Sequence, residues 1–388
     1  KGSCMFGIQR SPRITLFGAG QRLAVGSLAR DCGRRAFVCS DERVHTDTRL
    51  GEVLSSLAAA GVDYDVYSAT LPELPASCVG AAAEQARRHR PDVIVGLGGG
   101  SCLDVAKLVA AQLSHAQPLS AAYGEFNVPG PTVPVIAVPT TSGTGSEATP
   151  VAVVGDPERV LKVGISSPHL IPHAAIGDPE LPLTGPPMLT AVSGADALTH
   201  AIEAFTAIRR EPSPTLGLEH VFVGKNALSD VNAKIAVSAL MANLATAVRD
   251  GGDLAAREQV MHGAYCAGLA FGAAGTAAAH AIQYPVGALT HTPHGLGVAV
   301  LLPYVLRFNL SHCTRASDFI AAVSALFSSV GIPSSLGELG VPADKLDWIA
   351  ESALGIGRLI KNNPRPIDLT AMKKLVRHAH AGNLEIVE

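Results

Sequence analysis

The sequence predicts an α/β domain followed by an all-helical one, and three observations carry that prediction. Short apolar runs alternate with helical patterns over roughly the first 150 residues, which implies parallel βαβ units. After Gly185-Pro186-Pro187 the pattern changes and the remainder reads as long helices. Glycine is abundant, at 39 residues, while aromatics make up only 4%. That balance suits tight glycine turns in an α/β protein better than an aromatic-rich β-sandwich. At 388 residues, 47% of them hydrophobic, the chain can build two domains with large cores, so general disorder is excluded.

Element by element, Arg13–Phe17 reads as a strand ending at Gly18-Ala19-Gly20, and Gln21–Asp31 as a helix. Arg35–Ser40 is a second strand and Asp63–Tyr67 a weaker third. Ala81–Arg90 is helical. Asp92–Gly96 is a buried strand running into Leu97-Gly98-Gly99-Gly100, followed by a helix over Leu103–Leu113 and a strand over Val133–Val138. Residues Pro150–Ile165 look like a β-hairpin around the turn-rich Gly155-Asp156-Pro157-Glu158-Arg159. The helices of the second half fall at Met188–Phe205, Asp230–Arg249, Leu254–Phe271, Thr276–Gln283, Ser317–Val330 and Lys345–Leu354. The expected domains are residues 1–185, binding a dinucleotide, and 186–388, helical and metal-binding, with the active site in the cleft between them.

The totals exclude several classes of function. A net charge of −3 offers no basic face for a nucleic-acid backbone. No stretch reaches about 18 uninterrupted apolar residues, so no membrane span is expected. The segment Lys1–Arg13 lacks an apolar signal core. Seven scattered cysteines (Cys4, Cys32, Cys39, Cys78, Cys102, Cys266, Cys313), with no CxxC pair, read as reduced thiols of a cytoplasmic enzyme.

Three groups of residues and one lone carboxylate carry candidate chemistry. Gly98, Gly99, Gly100 and Ser101 sit between a buried strand and a helix, where backbone N–H groups and the helix dipole suit a pyrophosphate; the alternative is a plain turn. Neither GxGxxG nor the Walker pattern occurs, so a dinucleotide site here is of another type. Pro139–Glu147 carries five hydroxyls and two glycines, either a ligand loop or a solvated one. Asp41, at the end of the second strand, is either a carboxylate for the adenosine ribose hydroxyls, repelling a 2′-phosphate, or an ordinary turn aspartate. Asp196 and His200 lie four apart on one helix face. With His280, His291 and His294 further on, one carboxylate and several imidazoles are available for Fe²⁺ or Zn²⁺. On spacing alone, an Asp/His pair on a helix is more often structural.

In this order the segments resemble the iron-containing (group III) alcohol dehydrogenase family. The resemblance rests on Gly98–Ser101 followed by Asp104 and Lys107, on Pro139–Glu147, on Gly194–Glu203, and on His280 with Thr292-Pro293-His294-Gly295. It covers about Phe17 to Asn309, some three quarters of the chain. It implies a metal held by Asp196, His200, His280 and His294, and NAD held at Gly98, Gly99, Gly100 and Ser101 with Thr140, Thr141, Thr144 and Lys162 nearby. Asp41 takes the acidic position associated with NAD preference. The implied activity is hydride transfer between a small alcohol, or its aldehyde or ketone, and NAD. The implied metal is Fe²⁺, with Zn²⁺ as the alternative, and the implied assembly a homodimer or larger homo-oligomer.

One departure stands out. Many members place a second histidine four residues after the third ligand, and here that position is Tyr284, a poor base since a phenol's ordinary pKa is about 10. Water, the nicotinamide ribose or His291 are the remaining proton routes. Relatives on the same fold give alternative readings: a hydroxyacid–oxoacid transhydrogenase, or a maleylacetate-reductase-like enzyme, which retention of all four ligand positions disfavours. A dehydroquinate-synthase type needs a Lys/Arg-rich pocket, and no such cluster is identified. A non-catalytic metal- or nucleotide-binding protein is the reading from another class.

Overall fold

The computed structural model describes residues 5–312 and 317–385; Cys4 and Cys313 lie outside them. The chain divides into two compact units. The first spans Arg10–Thr184 and takes in Leu218–Val221. Arg10 Nη1 donates to Val221 O at 2.7 Å, and Val221 N to Glu125 Oε2 at 3.1 Å. The second comprises the segment through Gln9, Gly185–Gly217, and the chain from Phe222 onward. The N-terminal segment joins it through Ala227 N, which donates to Phe6 O at 2.8 Å.

The first unit is a doubly wound α/β fold. In chain order it contains β1 (Ile14–Phe17), α1 (Val25–Cys32), β2 (Arg35–Cys39), α2 (Thr48–Ala59), β3 (Asp63–Tyr67), α3 (Ala76–His89), β4 (Val93–Gly98), α4 (Gly100–Ser114), β5 (Gly124–Glu125), β6 (Val135–Pro139), β7 (Val151–Val154), β8 (Val163–Ser166) and β9 (Ala174–Gly177). Six strands form one parallel sheet in the order β1-β9-β6-β4-β2-β3. Strand residues alternate between two faces. Phe37, Cys39 and Ile94 pack with Ala82, Ala86, Val105 and Val109 of α3 and α4. Ala36, Val38, Val93 and Val95 pack with Val25, Leu50, Val53 and Leu57 of α1 and α2. Covered on both sides, β4 is buried along its whole length. The hairpin forms: β7 and β8 pair antiparallel, with β5 added beside β8.

Three elements here go beyond the sequence reading: the two-residue β5, α2 and β9. Helix α2 has a clear apolar period (Leu50, Val53, Leu57) and an N-cap, Asp47, whose side chain accepts from Arg49 N and Leu50 N. Strand β9 is four small or aliphatic residues, all buried, with no alternation to betray it. The helix expected at Gln21–Asp31 begins instead as a 3₁₀ turn over Gln21–Ala24.

The second unit is helical: α5 (Pro187–Thr206), α6 (Leu216–Glu219, where the two units meet in sequence), α7 (Ala227–Arg249), α8 (Leu254–Ala274), α9 (Ala278–Thr290), α10 (His294–Asn309), α11 (Ser317–Ser329), α12 (Leu346–Leu354), α13 (Gly357–Asn362) and α14 (Leu369–Ala381). Helices α6, α10, α13 and α14 are additions to the sequence reading. Pro303 lies inside α10 and blurs its pattern as a helix. Helix α5 is buried from Gly194 through Ala204 and packs against α7, α8 and α10, as a helix apolar on most sides must. Among the described residues, α7 alone is long and apolar enough by length and composition to cross a membrane, and α8 with α9 passes that test only as a pair bent by 102°. Here α7 lies along α5 and α8.

Candidate active site

The helical unit gathers the predicted metal donors. Asp196, His200 and Glu203 are spaced by four and three residues, so α5 presents them on one face. Helix α9 brings His280 to that face, and α10 opens with His294. One donor atom each from Asp196, His280 and His294 lies within 4.8 Å of the others. His200 adjoins this group: its Nε2 is 3.8 Å from Asp196 Oδ1, the same distance that separates His280 Nε2 from that oxygen. The rings of His200 and His280 stack with centroids 4.7 Å apart, and those of His280 and His294 are 5.2 Å apart. Asp196, His200 and His280 are all buried.

Close approach between α5 and α10 depends on Gly295. A Cβ there would lie 2.6 Å from Val192 O and 3.0 Å from Asp196 Cβ, so any side chain would push His294 away from Asp196.

Glu203, one turn beyond His200 and open from the sequence either to orienting a ligand or to solvating the helix, does the first. It is 2% exposed. Its Oε2 accepts from Ala277 N at 2.8 Å and its Oε1 from Ala279 N at 2.7 Å. No side chain of α9's own N-cap serves those groups, so a carboxylate from α5 caps α9. The same Oε2 accepts from His280 Nδ1 at 2.6 Å. That bond fixes the tautomer: the proton sits on Nδ1 and the Nε2 lone pair is left for another partner. His280 Nε2 is buried with no hydrogen-bond partner, at a real desolvation cost unless a cation fills the place. The donor set therefore fits a divalent ion: a carboxylate oxygen and imidazole nitrogens, one of them held in its ligating tautomer.

Two aromatic residues border these donors. Phe271 of α8 stacks on His200, centroids 4.1 Å apart at 17°, a contact with no sequence signal. Tyr284, one turn beyond His280 on α9, has its ring 6.0 Å from that of His294. His291 is the C-cap of α9, in the left-handed region at φ 54°, exposed and outside the group of three donors.

The cofactor candidates cluster in the α/β unit. Gly98 ends β4, Gly99 is the N-cap of α4 with no side-chain cap, and Gly100 and Ser101 form its first turn. The hydroxyl-rich loop packs directly on this turn: Thr140 N donates to Gly98 O at 2.9 Å. A Cβ on Gly100 would come within 2.6 Å of Thr144 Cγ2, and one on Gly99 within 3.6 Å of Thr141 Cγ2. The arrangement leaves an uncapped helix start beside backbone bare of side chains, which is what a pyrophosphate requires.

Asp104 and Lys107 have a structural task. Asp104 accepts from Ser146 Oγ at 2.6 Å and Val153 N at 2.9 Å. Lys107 Nζ donates to Thr149 O and Val151 O, both at 2.9 Å. They tie the hydroxyl loop and β7 to α4. Burial lowers the Lys107 ammonium to about 8 and raises the neighbouring Glu147 carboxyl to about 7. Lys162 pairs with Glu73. Asp41 caps a 3₁₀ turn and is held by Arg43. Burial pushes its carboxyl up, but the hydrogen bonds and charge of Arg43 outweigh that and hold it below its ordinary value. Arg43, two residues beyond Asp41, carries no sequence signal of its own.

Residues 12–179 match the family model described as iron-containing alcohol dehydrogenase. Residues 218–316 and 311–380 match the model of the C-terminal part of the Fe-containing alcohol dehydrogenase family. Long-chain-alcohol dehydrogenase 1 of Geobacillus thermodenitrificans (strain NG80-2) is 34% identical over 360 residues, 86% of each chain. The crystal structure of a 1,3-propanediol oxidoreductase superposes with a TM-score of 0.89 at 30% identity, covering 96% of this chain and 100% of that one. That of sulfoacetaldehyde reductase from Bifidobacterium kashiwanohense, in complex with NAD⁺, gives 0.83 at 25% identity, covering 97% and 99%.

Proposed function

The chain belongs to the iron-containing alcohol dehydrogenase family, and from that membership we propose that it transfers a hydride between a small alcohol, or the matching aldehyde or ketone, and NAD. We assign a divalent metal, Fe²⁺ or alternatively Zn²⁺, to Asp196, His200, His280 and His294. NAD is assigned to Gly98, Gly99, Gly100 and Ser101, with Thr140, Thr141 and Thr144 alongside, Asp41 at the ribose and Lys162 near the cofactor. The observation that carries this reading is the convergence of Asp196, His280 and His294 donors within 4.8 Å, beside His200, with His280 held in its ligating tautomer by Glu203.

When bound, the ion supplies Lewis acidity toward the substrate oxygen and the nicotinamide supplies the hydride acceptor. The chain's residues do the rest. Glu203 keeps the His280 Nε2 lone pair aimed at the donor group. Asp196 brings negative charge to it. Phe271 covers the outer face of the His200 ring and keeps water from that side. Tyr284 stands where many relatives carry a histidine, and its phenol hydroxyl serves as a hydrogen-bond donor to the substrate. The proton released by an alcohol leaves by solvent, with exposed His291 at the end of the same helix as a relay. The five described cysteines are all free thiols, which supports a cytoplasmic setting. Family resemblance supports a homodimer or larger assembly.

The test is NADH formation across a panel of primary alcohols, diols and hydroxyacids, on chelated protein and on the same protein reloaded anaerobically with Fe²⁺ or Zn²⁺. Activity that returns only with metal is the expected result and ranks the substrates. Equal activity with and without metal would overturn the metal assignment. Turnover only with paired donor and acceptor substrates, and no NADH release, would replace it with a transhydrogenase.

A further inference from the structure

We propose that Arg43 opens the ribose end of the cofactor site to a 2′-phosphate, so that this chain binds NADP as well as NAD. The inference rests on the reading of Gly98–Ser101 as the pyrophosphate loop. Strands β2 and β4 are neighbours, yet the chain leaves β2 for β3 on one side and returns to β4 on the other. The crevice at their C-terminal ends is therefore the switch point where an open α/β sheet takes its nucleotide. Asp41 sits there: an ideal Cβ on Gly98 would lie 3.7 Å from Asp41 Oδ2.

A lone carboxylate at this point repels a 2′-phosphate, which carries about −1.5 to −2 charge. Asp41 does not stand alone. Arg43 Nε donates to its Oδ1 at 2.8 Å and Arg43 Nη2 to its Oδ2 at 2.7 Å, with the Arg43 backbone N–H adding a third bond to Oδ1 at 3.1 Å. One guanidinium thus engages both oxygens that ribose hydroxyls would use, and the two unit charges cancel. The fork that fits a carboxylate fits a phosphate equally well. Nη2 also reaches Thr140 Oγ1 at 3.4 Å, on the hydroxyl loop. Nη1 donates to nothing among the described residues, and the side chain is 44% exposed, so its outer edge is open to a ligand. A 2′-phosphate gains a charge-assisted partner there; a ribose without it still has Asp41.

The experiment is calorimetric titration of the metal-loaded protein with NAD⁺ and with NADP⁺, repeated on Arg43→Ala. Arg43 is a surface residue, and a thermal melt checks that the variant folds. The expected dissociation constants for the two cofactors lie within about tenfold of each other. In Arg43→Ala the ratio should widen by roughly ten- to hundredfold against NADP⁺, and raised salt should weaken NADP⁺ more than NAD⁺. Tight NAD⁺ binding with no measurable NADP⁺ binding overturns this inference and leaves the cofactor site standing. Failure of both cofactors to bind overturns the site and the inference together. An equal loss of both in Arg43→Ala assigns Arg43 to loop structure and overturns the inference as well.

Discussion

The two candidate sites are built in opposite ways. The metal group of the helical unit is made of side chains locked by another side chain: Glu203 caps α9 and fixes His280 in one stroke. The cofactor turn of the α/β unit is made of backbone and of missing side chains, with Thr144 packed where a Gly100 Cβ would be. A small ion needs few donors with their lone pairs aimed, so burial and carboxylate–histidine bonding suit it. A pyrophosphate needs many N–H groups at close range, so glycine and an open helix start suit it. The first kind of site fails by loss of orientation, the second by intrusion.

The largest effect is expected at the hinge of the first site. Glu203→Gln keeps the shape, but its amide nitrogen cannot accept a bond from His280 Nδ1 or an α9 N–H. Metal affinity should fall about ten- to hundredfold, read by metal content after dialysis against a graded chelator. NAD⁺ affinity should hold. Unchanged metal retention would show that the donors need no such support and would erase the contrast.

An intrusion is the matching test on the other side. Gly100→Ala should weaken NAD⁺ by roughly tenfold, since overpacking against Thr144 costs about 1–3 kcal/mol and displaces the loop. Calorimetry reads the affinity, and metal content is the control. Wild-type NAD⁺ binding in that variant would mean that the loop yields and that backbone proximity is not the limiting feature.

The smallest effect is on stability and sharpens the comparison through pH. Glu147 is raised from 4.5 to about 7 by burial. Its contribution is therefore complete below about pH 4.5 and is lost as pH rises through 7. Lys107 is lowered from 10.5 to about 8 by burial, so its contribution is present above about pH 10.5 and lost as pH falls through 8. Denaturant melts should show stability declining from pH 4.5 to 7. Glu147→Gln should flatten that limb by about 1–3 kcal/mol. An identical slope in the variant would place the titration elsewhere.

Much of this was legible in the sequence, and the limits follow physical lines. The alternation of β2, β4 and β6 with helices, the hairpin, and the long helices α5, α7 and α8 all show in local periodicity. The Asp196/His200 spacing shows because a helix repeats every 3.6 residues. Glu203 continues that face, but its partner His280 is 77 residues away, and no local pattern encodes such a pair. Phe271 reads as one more core aromatic until it stacks on His200. Helix α2 was within reach through Leu50, Val53, Leu57 and the cap Asp47. Strand β9 was not: four small buried residues acquire an extended fate only by pairing with β1 and β6.

That last pairing bears on how the molecule comes into being. Strand β1 is the edge of the sheet and, among the described strands, pairs only with β9, joining Ile14 to Ala174 and Phe17 to Gly177. During synthesis at about 5–20 residues per second, β1 leaves the ribosome roughly 8–30 s before its partner exists. Over that interval its exposed backbone has no mate, and the sheet can grow only from β2, β3 and β4 outward. Closing so long a loop makes the addition of β1 a slow, high-contact-order event. Strand β1 is therefore among the last parts of its sheet to settle, and refolding of the α/β unit should show a late phase that a chain beginning at β2 would lack.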